Sequence, residues 1–441
     1  MNRMNPIERN QIIRLLKQEV IPAIGCTEPV AVALCAAKAA ELLGETPQQV
    51  SVRLSENVLK NAMGVGIPGT DGMIGLPIAV ALGIVAGKSE YQLEVLKDCT
   101  PPDVERGKQL LQKECIEIRQ KKDTTETLYI EVECKGETNR STAIISREHT
   151  HFSYLAFNGT VLKDASSSEQ KDEKTEGVEL SLPKIYAFAM DTPLSEIDFI
   201  LESAAVNRAA AEMSFKGNYG HGLGKIFKAS SKDLSEFPDD LRCMLAFSCA
   251  ACDARMAGAM IPVMSNSGSG NQGIAATLPV LIYAERNHKP EEALIRALIL
   301  SHLTVIYVKQ YLGRLSALCG CVVATTGASC GLVHLMGGNY EQVCFAVKNM
   351  IANLTGMFCD GAKPSCSMKL SSGVYSAMLS AQLAIKHVCV TSAEGIVQED
   401  VDDCIKGMSL IGQEGMREAN KIILDIMTHK DCLPSPEHYQ Q

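Results

Sequence analysis

From Pro183 to the C-terminal end, almost every segment of this 441-residue chain either repeats its apolar residues at the helical period or is a Gly-rich connection. Helices are predicted at Glu196–Met213, Pro238–Ala257, Gly273–Arg286, Glu291–Tyr311, Gly338–Leu354, Val374–His387 and Gln398–Ile405. Aromatic residues make up 5% of the chain and Trp is absent, so Ala, Leu, Ile, Val and Met must fill the core. Small and aliphatic side chains favour close helix packing. The C-terminal half, 183–441, is therefore read as one large helical domain.

The first half is different. Ile7–Val20 has a helical period that Pro22 ends, and Val30–Leu43 forms a second helix that stops at Gly44. Between them Gly25-Cys26-Thr27-Glu28-Pro29 makes a turn, with Thr27 suited to the N-cap and Cys26 just ahead of the helix start. Val50–Glu56 alternates as a strand does, and Asn57–Gly75 is loop-rich. Further on, Glu114–Arg119, Thr127–Cys134, Arg140–Arg147 and Phe152–Phe157 alternate in the same way, and a polar linker, Lys163–Gly177, follows. The expected class is α+β: a large, mostly helical catalytic domain with a smaller α+β lobe. The division places an N-terminal segment at 1–89, the small lobe at 90–182 and the helical domain at 183–441.

Charge narrows the partners. Lys and Arg number 42 against 51 Asp and Glu, a net charge of −9, which argues against nucleic acid as a partner. The opening residues carry charges and no apolar core of a secretory signal, and the apolar run Gly75–Gly87 is too short to span a bilayer. A cytoplasmic protein with no membrane partner is expected. Its 17 Cys are then reduced, and most should act as small buried hydrophobes. Exposed helical faces make a homodimer a reasonable assembly.

Three loops are too rich in Gly and Cys to be mere connectors. Met264–Gly273 (MSNSGSGNQG) offers Ser, Asn and Gln side chains and Gly-exposed N–H groups ahead of a helix, which suits a carboxylate or phosphate. It matches neither a P-loop nor a dinucleotide fingerprint. Leu318–Cys330 (LCGCVVATTGASC) and Met357–Met368 (MFCDGAKPSCSM) carry thiols, with Cys359 and Cys366 flanking one tight turn. Two thiols on a turn and one from a nearby helix end suit an iron–sulfur mount; by spacing alone buried structural Cys is the leading reading, ahead of a cluster and of zinc or redox thiols. Cys249 and Cys252 form a CxxC inside an Ala-rich helical pattern and read as core. His302 and His334 in apolar helices, and His221 in GNYGHGLG, form no zinc signature.

Taken together, EVIPAIGCTEPVAVALCAAKAAELLG at Glu19–Gly44, LSENVLKNAMGVGIPGT, NSGSGNQGI, LSALCGC, FCDGAKPSCSMK and EGIVQEDVDDCIKGMSLIGQEGM resemble, in order, the L-cysteine desulfidase family. The helical half is more distantly similar to the iron–sulfur L-serine dehydratase alpha chain. The resemblance implies a [4Fe–4S] cluster that splits a small amino-acid substrate, L-cysteine, into sulfide, ammonia and pyruvate without pyridoxal phosphate. It implies Cys319, Cys359 and Cys366 as cluster ligands, with Cys321 the competitor for the first. Cys26 falls at a functional position: a thiolate base favoured by the helix start, or a cap on the fourth iron. Ser265, Asn266, Ser267 and Gln272 are candidates for gripping the substrate's carboxylate and amino group, Lys363 for its carboxylate, and Asn57 and Asn61 are weaker candidates. The Ser-Ser-Ser-His element of the serine dehydratases has no counterpart, because Ser166–Ser168 lies in the linker without a His. That departure favours cysteine over serine, with serine dehydration as the alternative; a non-catalytic iron–sulfur or thiol sensor is the reading from another class.

Overall fold

A computed structural model describes residues 4–70, 72–124, 126–165, 178–229 and 239–429. Most of the polar linker, including Ser166–Ser168, lies outside the described residues, as does Pro238.

Two hydrophobic cores organise the chain. The first is built on a six-stranded sheet in the order β3-β2-β4-β5-β6-β7. Its strands are β2 (Gln49–Leu54), β3 (Ile116–Gln120), β4 (Tyr129–Lys135), β5 (Arg140–Ser146), β6 (Phe152–Phe157) and β7 (Thr160–Asp164). All neighbours are antiparallel except β2 and β3. A parallel pair needs a crossover, and helices Leu76–Ala86 and Pro101–Gln112 supply it. Helix Thr27–Leu43 packs on β4 and β5 and against helix Leu76–Ala86. Its Ala-rich face lets that neighbour come close enough for a Cβ at Gly83 to collide with the Ala33 carbonyl. Because β2 pairs with both β3 and β4, the division drawn at 89/90 runs through this sheet. An additional strand that the sequence did not suggest, β7, ends in the linker's first two residues.

The second core is helical. Helices Gly270–Arg286, Glu291–Leu312, Tyr340–Leu354 and Cys366–Ile385 pack against helix Gly320–Leu335, and helices Leu201–Lys216 and Asp239–Met256 pack outside them on Gly270–Arg286. That central helix occupies most of the segment read from sequence as a thiol loop. VVATTGASCG is a poor helix former in isolation, but its small residues let other backbones approach: a Cβ at Gly327 would meet the Ser301 carbonyl, and one at Gly331 the Ala297 carbonyl at 2.8 Å. Tertiary packing overrides propensity here. The fold is α+β with a mostly helical body, as expected.

Several boundaries move. Thr27 is not the N-cap: Cys26 is, and the Thr27 hydroxyl donates instead to Gly268 O at 2.9 Å. The loop-rich Asn57–Gly75 contains a short helix, Glu56–Ala62, and the helix expected from Val374 begins at Cys366. The two bodies meet where β1 (Pro22–Ile24) pairs antiparallel with β8 (Pro262–Met264). They meet again at helix Arg417–Thr428, whose Leu424 is buried in the first core. Among the described residues no helix is long and apolar enough to cross a membrane.

Candidate functional site

The two thiol-bearing segments are joined by an isolated antiparallel bridge between Leu318 and Phe358. Across it the Cys319 N–H donates to Met357 O at 3.0 Å and the Cys359 N–H to Ala317 O at 2.6 Å. The chain then turns at Gly361, whose φ of +87° is a left-handed conformation that favours glycine. Cys366 closes the turn: its N–H donates to Lys363 O at 2.9 Å and its thiol to Gly361 O at 3.6 Å. Cys319 caps helix Gly320–Leu335, and Cys366 opens helix Cys366–Ile385. A helix start favours a thiolate.

The three thiols expected as ligands are thus brought together, and the charges of Cys359 and Cys319 are felt at Cys366. All three are free thiols. A hydrogen bond from the Cys321 thiol lowers the Cys319 pKa to about 6, against the opposing effect of burial, with the Lys369 charge a smaller aid. Cys321 moves the opposite way, because it holds the shared proton in a buried position. Burial pushes Cys366 up to about 11. Among the described residues no three His, Cys, Asp or Glu side chains are gathered as one metal ion requires. An iron–sulfur cube, whose irons take their thiolates at separate corners, spreads its ligands more widely, and a set made only of soft thiolates matches it. The donor set fits a cluster better than a lone ion.

Cations surround these thiols. Lys369 Nζ meets Asp360 Oδ1 at 2.5 Å and donates to Phe358 O at 2.8 Å. Lys309 donates to Arg314 O at 2.9 Å, and burial pushes its pKa down to about 8 although the Cys359 charge opposes this. Lys60, fully buried, donates to Asn420 Oδ1 at 2.6 Å. Lys363, expected to take a substrate carboxylate, is ion-paired with Asp360 at 2.5 Å and donates to the Asp360 and Gly361 carbonyls at 3.1 Å. It fastens the turn.

Cys26, read from sequence as a thiolate base or a cap on a fourth iron, is held here as a thiol. It is 2% exposed, and its Sγ donates to Glu28 Oε2 at 3.2 Å. Burial first, and the Glu28 charge second, raise its pKa well above the ordinary thiol value. Desolvation outweighs the helix start, so Cys26 is a protonated thiol. Asn61 Nδ2 donates to the other Glu28 oxygen at 3.0 Å, which places Asn61 in the same cluster, its own Oδ1 buried without a partner. Asn57 lies apart, accepting from Asn420 Nδ2 at 3.3 Å.

The Ser-Asn-Ser loop is occupied with its own fold. Ser265 Oγ donates to Ile21 O at 2.6 Å, Ser267 Oγ to Asn266 Oδ1 at 2.8 Å, and Asn266 Nδ2 to His302 O at 3.1 Å. These three side chains hold the loop's shape instead of facing a ligand. Gln272 is the exception. It is 2% exposed, its Oε1 has no partner, and it lies against Gly320, between Cys319 and Cys321. Asn271 Oδ1 and the Nε of the buried Arg255 are unpartnered too, and Arg255 lies directly under Gly270 at the start of helix Gly270–Arg286.

Buried polar atoms without partners cost about 1–3 kcal/mol each, so Gln272 beside Gly320, with Asn271 and Arg255 at the same helix start, marks a place where a polar ligand completes the bonding. Sequence reading missed Glu28, Arg255, Asn271, Lys60 and Lys309 as members. The available signal was a charge in an apolar helical stripe: Lys60 follows Val58 and Leu59, and Arg255 sits between Ala254 and Met256.

Comparison with known proteins identifies the family. The serine dehydratase alpha chain family matches residues 90–425. A UPF0597 protein of Phocaeicola vulgatus is 62% identical over 96% of this chain and 99% of its own length. One from Porphyromonas gingivalis is 53% identical over 97% of this chain and all of its own length. Another from Aeromonas hydrophila is 44% identical over 95% and 96%. With these relatives aligned end to end and the family match spanning both thiol segments, the chain belongs to the serine dehydratase alpha chain family, within its UPF0597 members.

Proposed function

We propose that this protein is a β-eliminating lyase of L-cysteine, an L-cysteine desulfidase that yields pyruvate, ammonia and hydrogen sulfide and holds a [4Fe–4S] cluster on Cys319, Cys359 and Cys366. The observation that carries the reading is the gathering of those thiols, with the buried, unpartnered Gln272 Oε1 lying against Gly320 next to Cys319. When bound, a cluster with one iron free of protein ligands supplies a Lewis acid for the substrate's β-substituent.

The remaining work falls to the chain. Arg255 and the start of helix Gly270–Arg286 are suited to the α-carboxylate, since both present positive charge and donors. Gln272 Oε1, Asn271 Oδ1 and Asn61 Oδ1 are acceptors suited to the α-ammonium group. Lys363, Lys369 and Asp360 keep the Cys359–Cys366 turn rigid. Cys26 holds a proton against Glu28, so its role is to deliver a proton and not to abstract one. Protonating Cβ of the released aminoacrylate gives the imine, which water converts to pyruvate and ammonia.

L-Serine is the second reading, favoured by the family match. Both are tested by pyruvate formation in anaerobically prepared protein, with L-cysteine and L-serine in parallel. Turnover of cysteine with serine far slower is expected. Faster turnover of serine makes the protein a dehydratase, and turnover of neither with iron present overturns the lyase reading.

A further inference from the structure

The six-stranded sheet itself approaches the site at the turn between β5 and β6. Between β5 and β6 the chain reverses over Ser146–His151, with Arg147 at φ +71° and the Ser146 N–H donating to His151 O at 3.2 Å. This turn carries His149, which is 6% exposed and whose Nε2 is buried without any hydrogen-bond partner. The adjoining Cε1–Nδ1 edge of the ring rests on the Ser267–Gly268 turn: a Cβ on Gly268 would stand 3.6 Å from its Cε1, 3.7 Å from its Nδ1 and 3.3 Å from Arg314 Nη1. Gly268 O in turn accepts from Thr27 Oγ1, the residue between Cys26 and Glu28. His149 therefore sits across one turn of backbone from the Cys26–Glu28–Asn61 cluster. An imidazole in a purely structural role satisfies its ring nitrogens when buried; this one leaves a nitrogen bare beside the polar cluster.

We propose that His149 Nε2 is the base that takes the α-proton of the amino-acid substrate, an inference that rests on the lyase reading above. The Cα–H proton passes to Nε2, the C–H electron pair becomes the Cα–Cβ double bond, and the β-substituent leaves with its own bonding pair. The imidazolium returns the proton to water after product release. Protonated Cys26 cannot take this step, which leaves the base unassigned among the residues read from sequence. The charged groups facing the ring are Glu28 from helix Thr27–Leu43, Arg314 from the loop after helix Glu291–Leu312, and Glu148 beside it in the turn. Burial keeps the ring neutral, with Glu28 opposing and Arg314 assisting, so the base is already in its proton-accepting form at neutral pH.

The test compares His149→Asn and His149→Gln with unaltered holoprotein, prepared anaerobically. Iron content, melting temperature, kcat, KM and α-deuterium washout from labelled L-cysteine and L-serine are measured. For removal of a general base kcat should fall by about 100-fold or more. KM should change little, iron should be retained, and both the acid limb of the kcat pH profile and the washout should disappear. Variants that turn over and exchange like the unaltered protein overturn the assignment while leaving the lyase reading intact. Failure of the unaltered protein to turn over or exchange either amino acid overturns both. A second measurement needs no variant. L-Alanine, which lacks a β-leaving group, should shift the His149 ring-nitrogen resonances of the unaltered protein, and resonances that stay in place overturn the contact.

Discussion

Cys319 and Cys321 are two residues apart, yet the fold gives them different work. Cys319 stands at the helix cap, on the bridge that aligns it with Cys359, whereas Cys321 lies inside the first turn and hydrogen-bonds back to it. Cys319→Ser is expected to lose the cluster's colour and turnover together, and Cys321→Ser to keep its iron; elemental analysis of anaerobic preparations checks both. The thiol segments were legible because LSALC and CDGAKPSC are short motifs whose residues lie close together in the chain. Glu28, Arg255 and His149 were not, because their roles come from tertiary neighbours outside their own motifs, such as Asn61 for Glu28, Gly270 for Arg255 and Gly268 for His149. His302 is a residue whose bland reading holds. Fully buried, it pairs with Asn266 Nδ2 and Thr277 Oγ1, each at 3.0 Å. Burial pushes its pKa down to about 3. An unfolded His takes its proton near pH 6.5, so between those values the unfolded state binds a proton that the native state refuses. Stability from this group is thus lost as pH falls below about 6.5, by about 2 kcal/mol at pH 5. Denaturant titrations across that range should show the slope in unaltered protein and a shallower one in His302→Gln.

At the scale of elements, periodicity found most of the long helices of the second half and the strands up to Phe157, since each carries its burial pattern locally, but it passed over helices Pro101–Gln112 and Arg417–Thr428. It failed at helix Gly320–Leu335, where both faces are buried and the residues are chosen for size. What specifies that helix is the backbone of helix Glu291–Leu312 lying against Gly327 and Gly331. A methyl at Gly327 has no space to enter, because the obstacle is the Ser301 carbonyl and not a flexible side chain. Gly327→Ala is expected to destabilise by about 1–3 kcal/mol through overpacking. Gly356→Ala is the matched control, since a Cβ there meets nothing within 4 Å and its φ is not left-handed. It should be neutral or gain about 0.4–1 kcal/mol. Urea unfolding of the two variants separates backbone crowding from any general cost of losing a glycine.

At the scale of the molecule, the α+β class was readable from the contrast between alternating and helical halves, but the joint between them was not. Sequence places the chain's end and its first hundred residues at opposite extremes. The fold brings helix Arg417–Thr428 back onto helix Glu56–Ala62. There Asn420 accepts from the fully buried Lys60 at 2.6 Å and donates to Asn57 Oδ1 at 3.3 Å, while Leu424 fills the first core. The same contact reaches the thiol turn, because Gly361 packs on Lys60 O and lies 3.4 Å, measured from its virtual Cβ, from the Met427 methyl. The C-terminal helix therefore braces both the N-terminal lobe and the Cys359–Cys366 turn. Asn420→Leu keeps the volume but leaves a buried ammonium group and the Asn57 carbonyl without partners, a loss of about 2–3 kcal/mol. Ile422→Ser, at a position 53% exposed on the same helix, should stay within about 0.5 kcal/mol. If the helix is a brace, Asn420→Leu should also lower iron retention during anaerobic dialysis while Ile422→Ser does not. Equal retention in both would confine the helix to a role in stability and separate it from the thiol turn.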